Sequence, residues 1–547
     1  MESPNTFAGL KEHSADIAAR LTYTQAALLF FSLCWLVVVS CRSLTPGSDN
    51  QVPIYGYRSM FEPSILLRIR FILGAKGIIR AACAKMKQQP FVLRRWNQDV
   101  ICLPIKYLEE LRLKPISQLS LVSAQLINFA PRWNSIHFLL SSRLHIEVLK
   151  QKLNPQLFHH VALANEELDF RWNLDIPRTD GKSSQTVALP LLTNQVSGWT
   201  QVSMFQILQN LVASASSRIF VGRPTCRDPR WIKLGVNFTV DTFLSGFTFR
   251  MFPGWSHFII ARLIPSRRRV LKHVRMAEDI VRSLSQEHAA IKEARARGEE
   301  MEEEDTLLNW MLDHGSPSEC LPSEMGSRLC ALIMAGLHST TLTTLFLLYD
   351  LCEHPEWFPV LREEIDSLAN EMGGPGENPS LTTRKWCNRL EKLDSFLVES
   401  QLHNPILLRA SWTMLAKQDM NFDGIRIRKG TIIAFPSCEV MFNPDDAHKL
   451  DSFDPMRSYR LRHSSPDERN SHRAGMTHPK NFSFSYGNQA CPGRHFAAAE
   501  IKLIVARLVH EFDFQFLPGQ SRPKTYQISE ISFTNPYAKL MIRRRRS

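Results

Sequence analysis

The sequence predicts a mainly α chain with a smaller β portion, an α+β domain carried by one N-terminal membrane helix. Three observations lead there. From about residue 105 to 420, apolar residues recur at helical spacing with short polar breaks. Short β-like runs stand at 91–93, 100–104, 425–427 and 431–436. Residues 23–41, YTQAALLFFSLCWLVVVSC, carry no charge. No internal repeat and no Gly/Ser linker divides the 547 residues, so one large domain is expected.

Taken in order, the apolar run comes first. Nineteen residues at 1.5 Å each give about 28 Å of helix, enough for a bilayer core. Lys11 and Arg20 precede it, offset by Glu12 and Asp16, whereas Arg42, Arg58, Arg68, Arg70, Lys76 and Arg80 follow. The positive-inside rule then leaves the bulk of the chain in the cytosol. A cleaved signal peptide ending near Ser40 fits less well, because the lead is long, polar and weakly charged. The stretch 54–86 reads as an amphipathic helix near the membrane. The runs at 91–93 and 100–104 read as strands around a Trp96-Asn97-Gln98-Asp99 turn. Asp180 to Ser184 is a loop. The region 240–265 is core helix or a second patch dipping into the bilayer. Glu299 to Asp305 is a solvated helix start. The runs at 425–427 and 431–436 read as a β-hairpin closed by Arg428-Lys429-Gly430, and 464–480 as a loop. Arg543 to Arg546 form a solvated basic end. The expected boundaries are a lead at 1–22, an anchor at 23–41, a catalytic domain at 50–540 and a basic tail at 541–547.

Composition narrows the function. Apolar residues at 44% and charged residues at 22% exclude a disordered, collagenous or multi-pass membrane chain. The 11 cysteines are scattered without a C-x-x-C pair, which argues for mostly reduced thiols rather than a disulfide framework or zinc module. A net charge of +13 invites a nucleic-acid reading, but the basic residues form no clustered stripe. A surface facing anionic lipid or an acidic protein explains the charge at least as well, and no nucleic acid is expected.

The most informative segment is FSFSYGNQACPGR at 482–494, followed by a helix with Ala497, Ile501, Ile504, Val505 and Leu508 on one face. Cys491 therefore sits on a Gly-containing loop just before a helix, where backbone N–H groups and the helix dipole favour a thiolate. Gly487 and Gly493 allow backbone to approach a flat group closely. One thiolate suits a single axial bond to haem iron and does not build a zinc site alone. The alternative for an isolated cysteine is a buried free thiol.

The pattern Phe484-x-x-Gly487-x-x-x-Cys491-x-Gly493-Arg494 resembles the haem-binding loop of the cytochrome P450 family, with Cys491 as proximal ligand. Upstream, Leu332 to Thr341 resembles the family's distal helix. Glu356 and Leu361 to Ile365 resemble the helix after it, Leu393 to Ser400 the K helix, and Asn443-Pro444 to Arg457 the segment beyond. The likeness covers about residues 50–540. It is strongest to filamentous-fungal members that carry His where most have an acid, as His338 does here, including relatives of ent-kaurene oxidase and many secondary-metabolite enzymes.

The resemblance implies the cytochrome P450 fold, haem b as cofactor, and a monooxygenase anchored in the endoplasmic reticulum with its catalytic domain cytosolic. It implies a hydrophobic substrate such as a terpenoid or meroterpenoid, and electrons from NADPH through a separate NADPH-cytochrome P450 reductase. Ala335-Gly336 would open a groove beside the iron. Ser339 and Thr340 would relay protons, with His338 joining them or merely packing. The alternative for those hydroxyls is bonding back to an i−4 carbonyl. Cofactor contacts are expected from Phe484, Gly487, Gln489, Cys491, Gly493 and Arg494, and from Glu399 with Arg457. His145 and Lys150 are candidates for a propionate.

Three positions depart from the family pattern. Leu402 stands where the K-helix Glu-x-x-Arg has its arginine. Gln489 stands where His or Arg often reaches a propionate. Trp412-Thr413 replaces a basic pair, with Arg409 nearby. The missing arginine supports a second reading: a haem-thiolate protein without monooxygenase turnover, isomerase-type or degenerate. A buried Glu399 without a cation would be costly, and Arg457 is available to pair with it.

Overall fold

Nine helices of 13 residues or more dominate the computed structural model, which describes residues 32, 52–59, 62–177, 198–375, 377, 379–406, 412–435 and 452–545. They are α1 (Ser64–Met86), α2 (Leu157–Asp175), α3 (Met204–Val221), α4 (Pro229–Met251), α5 (Pro265–Ala296), α6 (Pro322–Glu353), α7 (Phe358–Met372), α8 (Glu391–His403) and α9 (Arg494–Glu511). Proline opens α4, α5 and α6 in the first turn, where its missing N–H leaves no helix bond unmade. Asp228 caps α4 by accepting from the Arg230 N–H at 2.8 Å.

Helix α6 packs against α3, α4, α5, α8 and α9 and forms the axis of the helical core. Among the described residues it alone is long and apolar enough to cross a membrane. Since 72% of its most apolar stretch is buried in protein, it is read as a core helix. The expected anchor at 23–41 lies, Ser32 apart, outside the described residues, as do the loop at 180–184, Arg409 and Asn443-Pro444.

The strands are short: β1 (Ile54–Tyr55), β2 (Phe91–Arg94), β3 (Asp99–Cys102), β4 (Leu119–Ser120), β5 (Thr200–Val202), β6 (Thr413–Ala416), β7 (Met420–Phe422), β8 (Ile425–Ile427), β9 (Ile432–Ala434), β10 (Phe512–Gln515), β11 (Thr525–Ile528), β12 (Ile531–Thr534) and β13 (Leu540–Arg544). The main sheet runs β1-β2-β3-β9-β6-β4, and smaller sheets are β10-β13-β5, β11-β12 and β7-β8. The β2–β3 hairpin forms as expected, with Phe91 opposite Cys102 and Arg94 opposite Asp99.

Three sequence expectations are corrected. The runs at 425–427 and 431–436 are strands but do not pair with each other. β8 pairs with β7 across Asp423-Gly424, both at positive φ (49° and 80°), which suits a two-residue hairpin loop. β9 is apolar and buried throughout, so it enters the main sheet between β3 and β6 instead. Glu299 to Asp305 is not a helix start. Glu303 meets His288 and Arg295, Glu304 meets Arg218, and Asp305 meets Lys152, so the run straps helices together. The basic end is not simply solvated: Arg543 and Arg544 lie in β13, where Arg543 pairs with Asp513 at 2.9 Å, and Arg545 pairs with Asp366 at 2.9 Å. Seven described cysteines are free thiols, and Cys83 is disulfide-bonded.

One core group makes stability depend on pH. Glu500 on α9 is buried, its Oε1 has no hydrogen-bond partner, and burial pushes its carboxyl from 4.5 up to about 8. The native state therefore holds this proton where the unfolded chain releases it, and stability falls as pH rises from 4.5 towards 8. Glu500→Gln is expected to raise Tm at pH 8 by at least ~2 °C. The gain should vanish below pH 4.5, and melting curves across that range check it.

Candidate functional site

The 482–493 loop is built from its two ends inward. Phe482 is buried among the apolar side chains that cover the main sheet, with Trp412 and Phe435. The Ser485 N–H donates to the Phe482 carbonyl at 2.8 Å, and the chain then turns through positive φ at Ser485 (63°) and Gly487 (76°). Only glycine fits at 487, because a Cβ there would lie 2.6 Å from Arg112 Cβ and 2.9 Å from the Arg112 carbonyl oxygen. The Cys491 N–H closes the loop on the Phe484 carbonyl at 2.9 Å.

Outside contacts hold this shape. Trp412 Nε1 donates to the Tyr486 carbonyl at 2.7 Å, and Tyr486 Oη donates to Glu109 at 2.9 Å. Asn154 Nδ2 donates to the Pro492 carbonyl at 3.1 Å. Gln489 braces β4: its Oε1 accepts from the Leu121 N–H at 2.9 Å and its Nε2 donates to the Leu119 carbonyl at 2.8 Å. That side chain is committed to backbone.

Cys491 stands two residues before Gly493, the N-cap of α9. Burial pushes its thiol up. The N–H groups of Gly493 and Arg494 and the Arg494 charge oppose the rise without cancelling it. The donors expected from the sequence are thus present, and a bound metal's charge would be needed to complete the thiolate. Arg494 Nη1 donates to the Cys491 carbonyl at 2.9 Å, while its Nε is buried without a partner.

The middle of α6 has an unusual face. The helix is buried on both sides of it, yet Ala335 and Ser339, one turn apart, are exposed. A Cβ on Gly336 between them would meet nothing within 4 Å. An open stripe on a core helix marks space inside the molecule. Ser339 Oγ donates back to the Ala335 carbonyl at 2.9 Å, the local bond foreseen as the alternative for these hydroxyls. Thr340 is buried, off the open stripe. The His338 ring faces the Val236 carbonyl on α4, its Nε2 is buried and unpartnered, and burial pushes it down to about 4, so it is neutral. Of the three relay candidates, Ser339 alone is on the open face.

Glu399, deep in α8, is ion-paired with Arg457. Arg457 Nε donates to its Oε2 at 3.1 Å and Nη2 to its Oε1 at 3.2 Å. The Asp454 N–H and His403 Nε2 approach Oε1 at 3.0 and 3.1 Å. His145 is buried beside Arg328, pushed down to about 4, and Lys150 lies in the π-helical turn 149–153. Sequence reasoning missed Asp394. This buried acid accepts from Lys502 of α9 at 2.7 Å, from Arg462 at 3.4 Å and from the Ala474 N–H at 2.8 Å. A lysine inside the apolar run of α9 was the available signal.

These residues fit a haem. Gly493, at the cysteine, has no atom within 4 Å of its Cβ position, so backbone is open to a flat ring. The thiol has two N–H donors beside it, and the stripe on α6 leaves room for a ligand.

Comparison with known proteins identifies the family. The family model described as Cytochrome P450 matches residues 189–542. The chain is 36% identical over 524 residues to the cytochrome P450 monooxygenase ATR4 of Stachybotrys chlorohalonatus, covering 96% of this chain and 95% of that one. It is 32% identical over 543 residues to the cytochrome P450 monooxygenase sdnB of Sordaria araneosa, covering 98% and 95%. It is 31% identical over 521 residues to the ent-kaurene oxidase P450-4 of Gibberella fujikuroi, covering 93% and 96%.

Proposed function

The chain belongs to the cytochrome P450 family, and from that premise we propose a membrane-tethered monooxygenase that hydroxylates or further oxidises a terpenoid or meroterpenoid. As an oxidoreductase of this family it works with haem, iron bound by a cysteine thiolate. The haem supplies activation of dioxygen for insertion of one oxygen atom into substrate. The protein's own part is position, protons and dryness.

The observation that carries the reading is the Cys491 loop, fastened at both ends and holding one sulfur beside two N–H donors. Cys491 would hold the haem iron through its sulfur, and Phe484, Gly487, Gly493 and Arg494 set the loop that presents it. Gln489 contributes by bracing the loop on β4 rather than through a charge. Ser339 holds the hydroxyl that moves a proton, for which it must release the Ala335 carbonyl. Thr340 and His338 support the α6 surface around it. The substrate class rests on relatives named as ent-kaurene oxidases and on the apolar α6.

Residues 23–41 are proposed as the anchor, with 50–540 as the catalytic domain on the cytosolic face of the endoplasmic reticulum. Exposed Leu66, Ile69 and Leu73 on α1, with Trp255, Phe258, Ile259 and Leu263 after α4, support a second contact with the bilayer. A separate reductase passing electrons from NADPH completes the system.

The test combines full-length chain in membranes, a fungal-type reductase and a panel of cyclic terpenoids. Substrate-dependent NADPH oxidation with a product gaining oxygen is expected. A haem-thiolate spectrum with no NADPH use on any panel member would favour the second reading, a haem protein without turnover. Against that second reading stands Glu399, which is fully compensated despite Leu402.

A further inference from the structure

Glu399 is 1% exposed. A carboxylate at that depth needs donors on both oxygens or it destabilises the fold. Arg457 supplies one contact to each oxygen, and the Asp454 N–H another to Oε1. The remaining donor is not at 402, whose leucine side chain carries no donor, but one residue further on. His403 Nε2 lies 3.1 Å from Glu399 Oε1.

We propose that His403 is a positioning residue that takes over the role left vacant by Leu402, keeping Glu399 fixed and so keeping the haem loop in place. The inference rests on the functional reading above and deepens it at the same site. Three features support it. His403 is four residues after Glu399, so the two side chains share one face of α8. It is the last residue of α8, where the helix dipole favours a positive group. Its ring is held edge-on against Phe453 at 5.4 Å and 69°, and Phe453 stacks on His354 at 4.7 Å. The ring is thereby oriented before it meets the carboxylate.

A chain of contacts runs from this cluster to the two segments that flank the haem loop. Arg457 begins the short helix Arg457–Arg462, and Ser395 Oγ ties the same segment to α8 through the Pro455 carbonyl at 2.6 Å and the Tyr459 N–H at 2.8 Å. Arg462, at the far end of that helix, reaches Asp394, which also holds the Ala474 N–H and Lys502 of α9. The haem loop lies between residue 474 and α9.

Three chains test this: His403→Leu, His403→Arg, and His403→Leu with Leu402→Arg. The readouts are the ferrous–CO thiolate band per chain and Tm. In His403→Leu the band should fall about tenfold, the size of one hydrogen bond to a charged group. His403→Arg and the Leu402→Arg double variant should both recover most of it. Recovery by relocating a donor to 402 is an outcome that mere loss of packing does not produce. A wild-type band in His403→Leu, or no recovery in both arginine-bearing chains, overturns the proposal. Should the wild type itself lack the band, the functional reading fails, and the order of Tm values among the same chains still decides the role of His403.

Discussion

Cys491→Ala is expected to abolish the red-shifted ferrous–CO band and to lower turnover by more than ~10³-fold, at least ~4 kcal/mol of barrier. The loop offers one sulfur, and alanine leaves the Gly493 and Arg494 N–H groups without a partner. No other described cysteine is placed to substitute. Burial pushes the thiols of Cys330 and Cys352 up to about 12, with no N–H donors to bring either down. The reduced-CO difference spectrum of the variant in membranes checks this, beside turnover on any substrate found. A surviving thiolate band would move the ligand to another cysteine and remove the basis for the functional assignment.

Asp394→Ala should be the most destabilising single change among the ion pairs. It removes the carboxylate that compensates Lys502, 10% exposed, and the more distant of the two that meet Arg462, which keeps Glu391 at 3.1 Å. Lys502 would keep only the Cys387 carbonyl, at 2.7 Å. Stranding a buried charge in this way costs about 3–5 kcal/mol. Adding Lys502→Met to Asp394→Ala should recover more than half of the loss, because the lysine charge leaves with its partner. Denaturant melts of the single and double variants give the coupling directly. A loss under ~1 kcal/mol in Asp394→Ala would mean that solvent reaches the site and that the hub does not hold α8 to α9.

The parts of this arrangement that were legible in the sequence are those with local causes. The β2–β3 hairpin follows from two apolar runs about a short polar turn. Gly487 is read from the sequence as room for a flat group, whereas the close approach it permits is to Arg112, distant in sequence. The Glu399–Arg457 pair was legible as an available one, because a buried carboxylate must find a cation. What local pattern could not supply was the choice among partners. Arg428-Lys429-Gly430 makes a turn, as read, but the flanking strands are drawn to different sheets by Asp423-Gly424 and by the burial of β9. The acidic run at 299–305 looked solvated because its partners come from elsewhere on the chain. Gln489 was read by its position in a motif as a propionate donor. Its amide instead finds the unpaired backbone beside β4, a requirement invisible from the loop. The Glu-x-x-Arg spacing points to position 402, whereas a helix turn of 3.6 residues lets His403 at i+4 serve as well as i+3.

The brace between Gln489 and β4 also bears on how the protein is made. Its two ends are 368 and 370 residues apart. At roughly 5–20 residues per second, a ribosome takes about 20–70 s to deliver the second end after the first. For that interval the Leu119 carbonyl, the Leu121 N–H and Glu109 wait without the loop that will satisfy them, beside an apolar sheet face not yet covered by Phe482. The nascent chain must be sheltered for most of its synthesis, so the yield of active protein should respond to chaperone supply and slower translation more than to haem supply alone.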